Sequence, residues 1–135
     1  MFNLTFHPDQ VAIVNNASQC IGELILRYNT CDVLFWQMVS GGHGWGCMPH
    51  GIGEITKAEA LQDVPKNAPF KKEGFPWWAK ITFLFRTRRT SIGLHGDGGG
   101  EGTRGCGGII RNDIALFNSL EWILEQQENI KIYIL

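Results

Sequence analysis

Residues 91–110, SIGLHGDGGGEGTRGCGGII, place nine glycines in twenty positions. Glycine weakens helix and strand interiors alike, by roughly 0.5–1 kcal/mol per residue. The stretch therefore reads as a long loop set between apolar segments. It carries a single histidine, His95, and a single cysteine, Cys106. Any fold for this chain has to present that loop, and the flanking segments indicate how.

Upstream the chain reads as strands. Asn3–His7, Gln10–Val14 and Cys31–Val39 are rich in β-branched and aromatic residues and are broken by Asn, Asp or Pro. In Cys20–Tyr28 the apolar residues Ile21, Leu24, Ile25 and Tyr28 have helical spacing, but a strand is the preferred reading. The stretch VSGGHGWGCMPH is a loop leading into a strand GIGEI, and Thr56–Val64 reads as a short helical turn. Residues 65–78 form a Pro-, Lys- and aromatic-rich loop long enough to suggest a role in function. Ala79–Phe85 and Ser91–Leu94 read as strands.

Downstream, Ile114–Gln127 is helical, with Asp113 as its expected N-cap. Leu116, Leu120, Ile123, Leu124 and Gln127 fall near one stripe. Ile130–Leu135 alternates as a closing strand. The 135 residues suit one domain, mostly β and sandwich-like, with one clear C-terminal helix and no repeats or linkers.

A net charge of −1 gives no electrostatic footprint for nucleic acid. No apolar run approaches the ~18 residues of a membrane span. The opening MFNLTFHPDQ lacks the basic and apolar regions of a signal peptide, so export without a cleaved signal, or work in the cytoplasm, is expected. The four cysteines, Cys20, Cys31, Cys47 and Cys106, form no CxxC pair. No spacing supports a disulfide framework, and Cys20 and Cys31 read as small buried hydrophobes.

Three chemistries compete for the glycine loop. A phosphate cradle should open a helix, whereas this loop carries Asp97 and Glu101, which repel phosphate. A zinc site has candidates in His43, Cys47, His50, His95 and Cys106, but no short knuckle anchors them. A cysteine nucleophile needs a base, a positive environment and close backbone approach. His95, Arg104 and the small residues Gly105, Gly107 and Gly108 fit those needs, with free N–H groups for an oxyanion hole. Against all three stands a buried cysteine in a turn that simply needs glycine.

The sequence IGLHG followed by TRGC resembles the signature of the L,D-transpeptidases (the YkuD-like fold). That signature is a strand ending in His-Gly, a glycine-rich loop, and Ser/Thr-x-Gly-Cys. Upstream, SGG…PHGIGEI is similar to that family's small-residue loop and following strand. The resemblance covers roughly residues 31–135, and the short gap between His95 and Cys106 is nearest to compact type VI secretion effectors with this fold. It implies Cys106 as nucleophile and His95 as base, followed by Gly96. Thr103 and Gly105 occupy motif positions, and Arg104 stands where many members have a second His. Gly107 and Gly108 depart from the family's apolar residue and Arg; Arg111 is the candidate substitute.

The resemblance further implies attack on peptidoglycan tetrapeptide stems at the bond between a diamino acid and D-Ala, through a Cys106 thioester. Carboxypeptidase, D-amino acid exchange and 3–3 transpeptidase outcomes follow from the acceptor. Oxyanion donors are expected near Gly105 and Gly107, and substrate contacts at Thr103, Arg104, Gly96, His43 and Arg111. No cofactor or metal is called for. An immunity protein and a secretion apparatus are the implied partners, with action in the periplasm of a target bacterium after delivery from the producer's cytoplasm. The alternatives are another cysteine peptidase or amidase, although papain-like enzymes place Cys before His, and a non-catalytic cell-wall-binding or zinc-stabilised module. Trp77 and Trp78 are expected to divide between core and rim. Arg86, Arg88 and Arg89 read as a solvated hairpin turn, with the binding of a peptidoglycan carboxylate as the sharper alternative.

Overall fold

The computed structural model describes residues 1–14, 16–42, 44–98 and 103–135. Among them the chain is mostly β, with a single α-helix near the C-terminus. The first three strands, β1 (Phe2–Val14), β2 (Ala17–Tyr28) and β3 (Cys31–Gly41), form an antiparallel meander. Register aligns Leu4 with Leu26, Phe6 with Leu24, and Leu24 with Trp36, so one face of all three strands enters the core. The two stretches expected at Asn3–His7 and Gln10–Val14 are one strand with an irregularity between Pro8 and Gln10.

Four strands follow: β4 (Gly51–Ile55), β5 (Glu59–Ala60), β6 (Trp77–Lys80) and β7 (Thr82–Phe83). The helical turn expected over Thr56–Val64 does not form. That stretch is extended, and Glu59 and Ala60 pair with Trp78 and Trp77 of β6. Pairing supplied by a distant segment overrides the weak local preference. The expected loop at 65–78 contains a 3-10 helix, Pro65–Phe70.

The last strands are β8 (Gly93–Gly96), β9 (Gly107–Ile109) and β10 (Ile130–Ile134). All ten belong to one sheet, ordered β5-β6-β8-β9-β3-β2-β1-β10-β4-β7. Only Ile81 separates β6 from β7. The segment Trp77–Phe83 therefore pairs with β8 through its first half and with β4 through its second half. β6, next to one end of the strand order, and β7, at the other end, are thus one stretch of chain, so the sheet curls back on itself.

The helix α1 (Asp113–Gln126) touches both β8 and β10, which lie on opposite sides of that curl. It buries Leu116, Phe117, Leu120 and Ile123 against Leu4, Trp77, Leu94, Ile130 and Ile132 in one continuous core. The helix start differs from expectation. Asn112, at φ +56, is the capping position, with no side-chain capping bond, and Asp113 is the first helical residue. The Asp113 carboxylate is buried and accepts the Trp77 indole N–H at 2.9 Å, so it ties the helix to β6 instead of capping it.

The cysteines also differ from expectation. Cys20 on β2 and Cys47 in the loop before β4 form a disulfide, whereas Cys31 is exposed. The partners lie 27 residues apart, on a strand and on a loop folded over it, a proximity that no local spacing encodes. No helix among the described residues is long and apolar enough to cross a membrane.

Candidate active site

The two halves of the glycine-rich segment meet as parallel neighbours. Leu94 pairs with Gly107, and His95 with Gly108, across β8 and β9. Leu94 and Gly107 belong to the core side, where the Met38 sulfur leaves no room for a side chain on Gly107. His95 and Gly108 face the other way. Extended by one residue, the same register sets Cys106 beside Gly93. His95 and Cys106 are therefore diagonal neighbours on one face of adjacent strands.

That face is covered next to His95. Phe70, from the 3-10 helix, meets the imidazole edge-on with centroids 4.9 Å apart, and Trp78 of β6 stacks on it at 6.0 Å. Gly93 makes this possible, because a β-carbon there would lie 2.9 Å from the Trp78 ring. Of the tryptophan pair, Trp77 is the core residue and Trp78 lines this face. The enclosure leaves His95 only 5% exposed, and burial pushes its pKa below the usual histidine range. Its Nδ1 lies 2.7 Å from the Gly96 carbonyl. A carbonyl only accepts, so Nδ1 carries the proton and Nε2 presents a lone pair. Gly96 thus orients His95 through its own backbone. It is itself buried against Lys72 and Asp113, away from any open surface.

Cys106 is half-buried. Its Sγ lies 3.7 Å from the Ser91 carbonyl, and the Gly93 N–H is directed at it. Burial raises the thiol pKa above the usual range; the Gly93 N–H and the Arg89 charge oppose that rise. No hydrogen bond joins His95 to Cys106 among the described residues. Both groups are consequently neutral near pH 7, a thiol beside an imidazole.

The turn that carries Cys106 is pinned by three side chains. Thr103 Oγ1 donates to the Cys106 carbonyl at 2.5 Å and accepts the N–H groups of Gly105 (3.1 Å) and Gly41 (3.0 Å). That exhausts one donor and two lone pairs. Ser40, fully buried, donates to the Gly105 carbonyl at 3.1 Å and accepts the Met48 N–H at 2.9 Å. Arg89 reaches the carbonyls of Cys47 and Gly46 at 3.2 Å each and of Arg104 at 3.4 Å. Arg89 is thus seated on backbone, in contrast to the solvated turn expected for it.

The remaining expected site residues scatter. The Gly105 N–H is committed to Thr103, and Gly107 is buried in β9 between β8 and β3. Arg104 is exposed in the Cys106 turn. Arg111 is exposed beyond the far end of β9, about 16 Å of extended chain from Cys106. His50 is at the surface, its Nδ1 on the Leu135 carbonyl. His43 and Glu101 lie outside the described residues. Cys47, a ligand candidate on paper, is committed to the disulfide, and no three His, Cys, Asp or Glu side chains converge among the described residues.

Sequence reasoning missed the seat of Arg89 on the Cys106 turn, Ser40, Phe70 and the disulfide. Of these only Phe70 had a local sign, as part of a long aromatic loop. Thr-x-Gly does announce the Thr103 turn, since a hydroxyl commonly takes the N–H two residues on. No family model, curated protein or solved structure matches the chain.

Proposed function

We propose that the protein is a cysteine-dependent enzyme of the L,D-transpeptidase type acting on peptidoglycan stem peptides. The observation that carries the reading is the β8–β9 register, which sets a half-exposed thiol diagonally beside an imidazole whose proton is fixed on Nδ1. Catalytic hydrogen bonds are commonly long before substrate arrives, so the missing His95–Cys106 bond is compatible with it.

In this reading the substrate carbonyl approaches the half-exposed Cys106. The Cys106 sulfur attacks the carbonyl between the stem's diamino acid and D-Ala, and the thiol proton passes to Nε2 of His95. Because His95 is held neutral, it is ready to accept that proton at pH 7. The C–N bond then breaks, and His95 returns the proton to the leaving D-Ala amine. The thioester passes to a second amine or to water, giving a crosslink, an exchanged D-amino acid or a shortened stem. Delivery to another bacterium's periplasm, with a secretion apparatus and an immunity protein as partners, belongs to the same reading.

Mass spectrometry of purified disaccharide-tetrapeptide incubated with the protein and with Cys106→Ala tests it. Loss of D-Ala, a swapped terminal D-amino acid or a 3–3 dimer, absent with the variant, is the expected result. An unchanged tetrapeptide with folded, reduced Cys106 overturns it in favour of another amidase or a binding module.

A further inference from the structure

Three backbone carbonyls from two segments converge on one guanidinium. Arg89 lies between β7 and β8 and donates to the carbonyls of Gly46 and Cys47 on the disulfide loop and of Arg104 on the Cys106 turn. Trp45 faces it from the same loop, with its ring centre 5.7 Å from Cζ. Gly105, at φ +105, has Arg89 as the nearest group to the place its β-carbon would occupy. All three acceptors are neutral carbonyls. None of the ion pairs among the described residues involves Arg89, so its positive charge is not cancelled by a carboxylate. A guanidinium stays charged at every pH a protein tolerates.

Other charged or titratable groups approach Cys106 less directly. His95 is held neutral, and Asp97, which follows β8, lies over Gly108. Lys80 pairs with Gly93 on the row that ends at Cys106, and Arg104 is in its own turn. Both are exposed, where water and salt screen them.

We infer that Arg89 is a positioning residue for Cys106, holding the turn that aims the thiol and favouring the thiolate as it forms. The inference rests on Cys106 acting as the nucleophile, and it adds a component that neither the glycine loop nor the His-Cys pair supplies. Arg89 touches no reacting atom in this role. It works through its charge and through the three carbonyls that fix the turn. The thiol responds accordingly: the pull of Arg89 is one of two influences that offset the upward push of burial.

The test reads Cys106 without substrate. Cys31 and Cys106 are the free thiols, so a Cys31→Ser background isolates Cys106. The rate of iodoacetamide alkylation is followed from about pH 6 to about pH 11, across the thiol range. The variants are Arg89→Met and Arg89→Lys, and each is checked for a cooperative thermal transition. Arg89→Met is expected to raise the alkylation midpoint by about one pH unit. Arg89→Lys keeps the charge and is expected to hold the midpoint near that of the parent, while tetrapeptide turnover falls about tenfold or more because the carbonyl clamp is lost.

If Arg89→Met does not fold, the parent is titrated against salt. A midpoint that climbs with ionic strength supports the charge effect, and one that does not move overturns it. A folded Arg89→Met with the parent's midpoint also overturns the inference. Failure of the transpeptidase reading shows separately, as no turnover by the parent.

Discussion

The Arg89 guanidinium rests where Gly105 lacks a side chain, so a glycine two residues from the turn's start and a cation seventeen residues before the thiol share one space. Gly105→Ala is expected to strike twice. The alanine methyl collides with Nη2, and φ +105 is a conformation that alanine rarely adopts. We expect about 1–3 kcal/mol of lost stability in urea unfolding, together with an upward shift of the Cys106 alkylation midpoint as the guanidinium is displaced. Gly107→Ala fails differently, because it meets the Met38 sulfur at 2.5 Å inside the core and leaves Arg89 in place.

The Thr103 hydroxyl holds three backbone groups. Thr103→Val keeps the shape and removes all three bonds, leaving buried N–H groups of Gly41 and Gly105 unpaired. A loss of about 2–4 kcal/mol in unfolding free energy is expected, at ~1–3 kcal/mol per stranded group with partial relaxation. Thr103→Ser, which retains the hydroxyl, should recover most of it. Equal stabilities for the two variants would show that the turn is held without the hydroxyl.

The Cys20–Cys47 disulfide closes a long loop in the unfolded chain. Replacing both cysteines by alanine is expected to cost about 3–4 kcal/mol and to lower the thermal midpoint by roughly 10–15 °C. The same loop supplies the Gly46 and Cys47 carbonyls to Arg89. The double variant should therefore also alkylate more slowly at Cys106 at a given pH, as should the parent after treatment with dithiothreitol.

Burial lowers the folded-state pKa of His95. Below the ordinary histidine range, about pH 6.5, the unfolded chain takes up a proton there that the folded protein resists. The unfolded state then binds more protons, so stability rises with pH through that window and falls on acidification. Chemical denaturation at steps between about pH 7 and about pH 5 should show the decline, and His95→Gln should flatten it. A decline unchanged in that variant would assign it to other groups.

Much of the architecture was legible because it is local. The helix stripe of Leu116, Leu120 and Ile123, the alternation of Ile130, Ile132 and Ile134, and the apolar β1 and β3 each carry their period in a short window. Cys20–Tyr28 shows the limit. Its apolar residues fit both periods, and the structure makes it a strand because β1 and β3 pair with it on both sides. The same limit accounts for the extended 56–64 segment, for the carboxylate of Asp113 reaching Trp77, and for the unforeseen disulfide. Each is fixed by a partner far away in sequence.

At the site, His95 and Cys106 drew notice by their chemistry alone, and the sheet brings them to one face. Arg89 did not, because nothing within its own neighbourhood distinguishes it from Arg86 or Arg88. Its seat is made by carbonyls at residues 46, 47 and 104.

The two end strands of the chain run side by side in the same direction. Asn3 pairs with Lys131 and Phe6 with Ile134, so Met1 and Leu135 leave this ribbon from opposite ends. A pull on the termini would load the slanted bonds of the β1–β10 ladder together, in shear, rather than peel them one by one. Along the line that joins its own ends the protein would resist through that whole ladder at once, and β8 and β9, which pair with neither strand, would not carry the load directly.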